Sequence, residues 1–331
     1  MCLLTAAGGC GRSMEPTGPS TLLPAAELVA PDGLRMEFAP SVSNSEIRLT
    51  WNPVQDATYV VELGDAPGSV KYGSFDVTAT SFAFRDLPNG RVFARVKSRR
   101  GGTTSSPTAD VSDWFLDMKD YVEALFLGTG PLVPTDGNHG CSATGWVRGF
   151  GRGTTVPLSV STTVSSDKVA VIHGVADQVA VATAGAMQVA FGRTNNPNPT
   201  PGQNAATSTT HPTPVSEGCG GNGGCTIHVF VNPVSPGRFY SSRAVQPAGQ
   251  TPEAYGHDAV GHGVLGLCHV DGNLIGGARR SLMSAGPGVF SGDIADRLTE
   301  YDLAAVQVLY ATGLGAGARG RDLLNAGIIN P

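Results

Sequence analysis

The sequence predicts a multidomain protein, an N-terminal all-β sandwich followed by an α/β (α+β) domain. Three observations predict it. Between residues 27 and 111, short apolar or alternating runs recur between turn signals, and period-2 runs of that kind mark an all-β sandwich. From residue 112 onward, strand-like and helix-like periods follow one another instead. The chain has 331 residues, enough for two or three domains of ordinary size.

The first 26 residues stand apart. Leu3-Leu-Thr-Ala-Ala-Gly-Gly-Cys10 places small residues before a cysteine. It resembles the end of a bacterial lipoprotein signal, although its apolar part is short and no Lys or Arg precedes it. That resemblance implies lipidation at Cys10 and an extracellular or cell-surface chain, touching a membrane only through the lipid. An incidental cysteine is the competing reading. Residues 11–26 read as a Pro/Ser/Gly linker. Nowhere does a run of eighteen apolar residues occur, so no transmembrane helix is expected.

In residues 27–111 the strand candidates are Ile47-Arg-Leu-Thr-Trp51, Tyr59-Val-Val-Glu-Leu63, Ser81-Phe-Ala-Phe84 and Val92-Phe-Ala-Arg-Val96. Asp65-Ala-Pro-Gly68 and Leu87-Pro-Asn-Gly90 supply turn chemistry between them. Leu49-Thr-Trp51-Asn-Pro and Phe93-Ala-Arg-Val-Lys resemble a fibronectin type III domain. The resemblance implies that Trp51 is the core tryptophan, that Phe93 stands where such domains often carry Tyr, and that the module is a spacer or binding unit.

The second domain, residues 112–331, opens with a helical stripe of Phe115, Met118, Val122 and Leu125. Thr154–Ser161 alternates as a strand. Ser166 or Asp167 can cap a helix carrying Val169, Ile172, Ala176 and Val179 on one face. Gln188–Phe191 is a second strand, residues 193–224 a long Asn/Pro/Thr/Gly loop, and Thr226–Val231 a third strand, where His228 reads as a surface residue. Thr251-Pro-Glu begins another helix, with Pro at its first position. Thr299 and Asp302 form a capping pair for a last helix carrying Leu303, Val306 and Tyr310 and ending at Gly313.

The chemistry concentrates in His257-Asp258-Ala-Val-Gly-His262-Gly-Val-Leu-Gly266-Leu-Cys268-His269, followed by Ser281-Leu-Met283-Ser284. Neutral imidazole is the commonest protein ligand for zinc. Three histidines with an open fourth position suit a catalytic zinc. Such a metal acidifies a bound water, whose proton a neighbouring carboxylate can accept. The spacing poses a problem, because residues i and i+5 on an α-helix diverge by roughly 140°. A π-bulge would absorb one residue and bring His257 and His262 together. Alternatively, Asp258 and His262, at i and i+4, are ligands with His269. A Gly-rich helix with ordinary polar histidines is the third reading.

This stretch resembles the metzincin metallopeptidases, whose signature is H-E-x-x-H-x-x-G-x-x-H with a downstream Met-turn. Gly266-Leu-Cys-His269 matches the end of the signature, and Ser281-Leu-Met-Ser284 looks like the Met-turn. Each histidine spacing is one residue longer than the family's, and Asp258 stands where the family has Glu. The resemblance, closest to matrixin-like members over residues 140–315, implies zinc on His257, His262 and His269, and Met283 as a hydrophobic floor. It also implies Asp258 as general base, a protein or peptide substrate, and a monomer. Calcium is a second ion the family often binds, but Asp271, Asp293 and Asp296 lack the spacing of an EF-hand loop.

With Cys2 and Cys10 set aside, four cysteines remain, and four allow three pairings. Cys219-Gly-Gly-Asn-Gly-Gly-Cys225 is flexible enough to close on itself, which leaves Cys141 for Cys268. The net charge of −5, with no long charge run, argues against a nucleic-acid surface. Three functions stay open: a secreted or surface-anchored zinc metalloendopeptidase, a catalytically impaired metzincin-like pseudoenzyme that keeps the metal, and a metal-free adhesive lipoprotein.

Overall fold

A computed structural model of the chain describes residues 28–43, 45–141, 145–195, 204–209, 225–230, 237–247 and 249–331. Cys10 and Cys219 lie outside them, and of Cys225 and His228 only the backbone is described.

Alternation builds the N-terminal region. Its strands are β1 (Arg35–Ala39), β2 (Glu46–Thr50), β3 (Thr58–Gly64), β4 (Gly73–Val77), β5 (Ser81–Phe84), β6 (Gly90–Arg100), β7 (Thr103–Thr104) and β8 (Val111–Phe115). One sheet runs β1-β2-β5 and the other β4-β3-β6-β7, with β8 also paired to β6. Successive side chains of a strand point to opposite faces, so Ile47 and Leu49 of β2 are buried together with Val61 and Leu63 of β3 and Val92, Ala94 and Val96 of β6. Trp51 joins this core, edge-on to Tyr59 at 5.3 Å between ring centroids. Phe93 falls on the other face of β6, half-buried, with the Arg91 guanidinium over its ring.

The helical stripe expected from Phe115 starts later. Val111–Phe115 is a strand because β6 offers it a ladder, and Phe115 enters the sandwich core. The helix α1 (Met118–Leu127) begins once Asp117 caps it by accepting from Lys119 N. Met118, Val122 and Leu125 are fully buried on its inner face.

Next come β9 (Thr154–Ser161), α2 (Ser166–Ala182), β10 (Met187–Thr194), β11 (Asn204–Thr209), β12 (Cys225–Phe230) and β13 (Phe239–Pro247). Among the described residues they form one sheet in the order β10-β9-β11-β13-β12, parallel except for β12. The α2 helix buries Ile172, Ala176 and Val179, with Val169 partly buried. Its N-cap is Ser165, one residue before the candidates.

The loop expected over residues 193–224 is broken by structure at two places. β10 runs on to Thr194, and Asn204–Thr209 is a strand between β9 and β13. Its Asn/Thr-rich sequence shows no apolar alternation. Two flanking strands supply its backbone partners, and that ladder outweighs weak intrinsic preference.

The chain then forms α3 (Pro252–Gly256) and a π-turn over His257–His262, followed by the two-residue strands β14 (Val270–Asp271) and β15 (Ser284–Ala285), which pair with each other. The closing helices are α4 (Glu300–Ala311) and α5 (Gly320–Asn325), the second without an anticipated signal. Thr299 and Asp302 make the expected reciprocal capping box of α4. Val306 and Tyr310 are buried, Leu303 is partly so, and Gly313 follows at φ +81°.

The sandwich leans on the segment between β14 and β15 and on α4. Trp114 Nε1 donates to Leu274 O at 3.0 Å, Asp113 pairs with Arg280 at 2.7 Å, and Phe38 stacks on Tyr301.

Candidate metal centre

The local backbone is set by one extra residue. Gly263 N donates to Asp258 O, and Leu265 N to Val260 O, each a bond across five residues instead of four. Such a widened turn restores what a regular helix would forbid, because residues five apart return to one face. The apolar residues Ala259, Val260 and Val264 of this segment go into the core. β13 grips the turn from one side. Ser242 Oγ donates to Gly263 O at 2.6 Å, and Gln246 Nε2 donates to Ala254 O at 3.1 Å and to Asp258 Oδ2.

Gly266 reverses the chain at φ +68°, and a side chain there would run into the Arg148 backbone. The reversal brings His269 back to the turn. His269 N donates to His139 O, and Cys268, one residue earlier, is disulfide-bonded to Cys141.

The three imidazoles converge on their Nε2 atoms. His257 and His262 stand 2.9 Å apart, His257 and His269 3.1 Å, and His262 and His269 3.0 Å. Three ring nitrogens at these distances need a cation, or protons shared between them, to offset lone-pair repulsion. His262 Nδ1 donates to Leu267 O at 2.6 Å and His269 Nδ1 to Asn138 O at 2.8 Å. A carbonyl can only accept, so both Nδ1 atoms carry the proton and both Nε2 atoms present lone pairs. Backbone carbonyls orient metal-binding histidines in just this manner.

The electrostatics agree. Burial, and then the neighbouring His269, holds the His257 imidazole well below the usual range. Burial likewise brings His269 down to about 4, against the pull of its bond to Asn138. Both rings are therefore neutral at pH 7, the form that ligates. The donor set fits a metal ion. Three histidines that can hold one are present, and their chemistry alone leaves its identity open. Among the described residues this is the one group of three or more His, Cys, Asp or Glu donors that converges in this way, and Asp271, Asp293 and Asp296 are not part of it.

Asp258 stands beside the triad. Its Oδ1 lies 4.0 Å from His262 Nε2, while its Oδ2 accepts from Gln246. His257, Asp258 and His269 line a cleft of about 380 Å³ whose other walls include Asn138, Gln246, Ala285 and Phe290. Phe290 is 70% exposed at that cleft. Met283 is fully buried against Gly261 of the π-turn. Asp302 braces the segment leading to Met283, because its carboxylate accepts from Ser281 Oγ, Leu282 N and Tyr121 Oη.

No protein-family model matches the chain. No curated protein matches it either. Parts of solved structures do resemble it. A Fn3-like protein from Clostridium thermocellum is 21% identical over 26% of this chain and 90% of that one, with a TM-score of 0.22. A chain titled "Myokine structure" is 15% identical over 26% and 96%, with a TM-score of 0.22. The fibronectin type-III domain of human fibronectin type III domain containing protein 3 is 13% identical over 27% and 90%, with a TM-score of 0.21. All three are weak, partial likenesses, and the first and third are to fibronectin type III folds. The metzincin resemblance rests on the residues quoted for it.

Gln246, Ser242 and Asn138 were not singled out from the sequence. Each is an ordinary polar residue there, far along the chain from the histidines, and no spacing marks it.

Proposed function

We propose that the chain is a zinc-dependent metalloendopeptidase of metzincin type that hydrolyses peptide bonds, and that it is a monomer, secreted or held at the cell surface through a lipid on Cys10. The observation that carries this reading is the convergence of three buried Nε2 atoms at 2.9–3.1 Å on the wall of an open cleft, with a carboxylate alongside. His257, His262 and His269 would hold the ion. When bound, zinc supplies a Lewis acid and lowers the pKa of a water to about 7.

The chain's own groups do the rest. Asp258 Oδ1 is the acceptor for the proton of the attacking water. A general base needs heavy-atom reach of about 2.6–3.2 Å, or one bridging water. Asp is one methylene shorter than Glu, and the π-turn offsets this by moving residue 258 relative to the histidines. The cleft between Asn138 on one side and Ala285 on the other can seat an extended peptide.

Four full-chain proteins test the reading. The wild type should hold one zinc and cleave a broad peptide library in a manner that a chelator abolishes. Asp258→Asn should keep the zinc and lose cleavage. Loss of zinc from Asp258→Asn together with its retention in His257→Ala would make Asp258 a ligand and overturn the assignment. A wild type that binds zinc and cleaves nothing, while Asp258→Glu gains cleavage, would favour the impaired pseudoenzyme, for which the shorter acid is the supporting observation.

A further inference from the structure

Gln246 lies on β13, outside the histidine motif, and is only 2% exposed. Its Nε2 donates to two acceptors, Ala254 O on α3 and Asp258 Oδ2 on the π-turn. The Ala254 carbonyl can only accept, so the orientation of the amide is forced: the nitrogen faces the turn. Its Oε1 is buried and, among the described residues, has no hydrogen-bond partner. Burying an amide oxygen unpaired costs the full desolvation of that group. An apolar side chain would avoid that cost, so the folded state retains the amide at a loss that the nitrogen's two bonds must offset.

Those two bonds fall on the widened turn. Ala254 O sits where the helix changes from α3 to the π-turn, and Asp258 is the acid next to the first histidine. By holding Oδ2, the amide fixes which carboxylate oxygen faces the histidine cluster, and Oδ1 is left 4.0 Å from His262 Nε2. The two oxygens of a carboxylate are equivalent acceptors, so a donor held on one of them orients the other. We propose that Gln246 is a positioning residue: it locks the Asp258 carboxylate in the orientation that aims Oδ1 at the metal site and so makes the shorter acid usable as the base. This deepens the hydrolase reading and rests on it for its catalytic consequence, although the Gln246–Asp258 coupling stands independently.

The test uses full-length Gln246→Ala, Asp258→Ala and the double variant. Chemical unfolding of zinc-loaded protein gives a double-mutant cycle, in which residues in contact depart from additivity. Zinc content, KM and kcat are measured in parallel on Gln246→Ala. The expected result is clear coupling in unfolding, unchanged zinc content and KM, and a kcat lower by about 10- to 100-fold, on the scale that a misplacement of about 1 Å produces. Additive unfolding energies, or a kcat within about twofold of wild type, overturn the proposal. If the wild type cleaves no peptide, the hydrolase reading has failed, and the unfolding cycle alone then decides whether Gln246 fixes Asp258. Where Gln246→Ala fails to fold, Gln246→Met, which keeps the volume and removes the donor, takes its place with the same expected and overturning results.

Discussion

Gly261 and Met283 are in direct contact, the α-carbon of one against the sulfur of the other: a methyl group added to Gly261 would collide with Met283 Sδ. Gly261 precedes the second histidine, and Met283 is fully buried beneath it. The packing of Met283 against the π-turn is therefore set by a residue with no side chain. Gly261→Ala should destabilise the protein by about 1–3 kcal/mol, the usual cost of overpacking a core, and weaken zinc binding. Met283→Ala in the same chain should recover part of the loss. Thermal unfolding with and without zinc measures both, and full additivity of the two substitutions would count against the contact.

Removing the ligands should separate metal from fold. Zinc that binds only the native state stabilises it by about 2.7 kcal/mol at a free concentration 100-fold above Kd. His262→Ala should lose stoichiometric zinc and with it the thermal shift on adding zinc. His257→Ala and His269→Ala should do the same. Full zinc occupancy in His262→Ala would sink the site.

The disulfide should matter at the third ligand. Cys141 and Cys268 close a loop with a sequence separation of 127 residues. Bridges over loops of this order are worth about 2–4 kcal/mol. They also tie Cys268 and His269 to the segment whose Asn138 and His139 carbonyls hold His269. Cys141→Ser should lower stability by about that amount and weaken zinc binding. Peptide mapping without reductant should find the Cys141–Cys268 link and a Cys219–Cys225 link; a Cys268–Cys219 link would contradict the pairing.

The sandwich carries its own pH dependence. Burial raises the Glu62 carboxyl, but the Lys97 ammonium and the Arg95 guanidinium, each at 2.6 Å, outweigh it and hold the group below its ordinary value of 4.5. A depressed folded-state pKa means stability that is present above the unfolded value and lost as pH falls through the folded one. Glu62→Gln should therefore lower stability by about 1 kcal/mol at pH 7, and the difference should shrink towards zero below pH 4.5. Denaturant curves at neutral and acid pH measure this, and a difference independent of pH would refute it.

Local order was legible where one physical rule dominated. β2, β5 and β6 follow from alternation, because a half-buried strand must place every second residue in the core, while β3 was marked by its apolar run and is buried from Tyr59 to Gly64. Thr299 and Asp302 marked the start of α4 because capping is a local hydrogen-bond exchange within one turn. The interval between His257 and His262 already called for a π-bulge, because five residues subtend the wrong angle on an α-helix; the structure supplies that turn. Three histidines able to hold a metal were likewise visible as residue types in a short span.

Other features belong to the tertiary structure alone. Asn204–Thr209 became a strand because β9 and β13 offered backbone partners on both sides. Phe115 left its helical stripe because β6 had an open ladder. Gln246 and Asn138 meet the histidines only after the sheet and the Gly266 reversal bring them together, and no period or spacing in a linear chain encodes such a meeting. The sequence by itself determined residue types, periods and caps, which are short-range properties. The choice of which Asp258 oxygen faces the histidines, and which carbonyl fixes the His269 tautomer, was decided by contacts over 12 and 131 residues of chain, because hydrogen bonds of that range form only once the fold has fixed their ends in place.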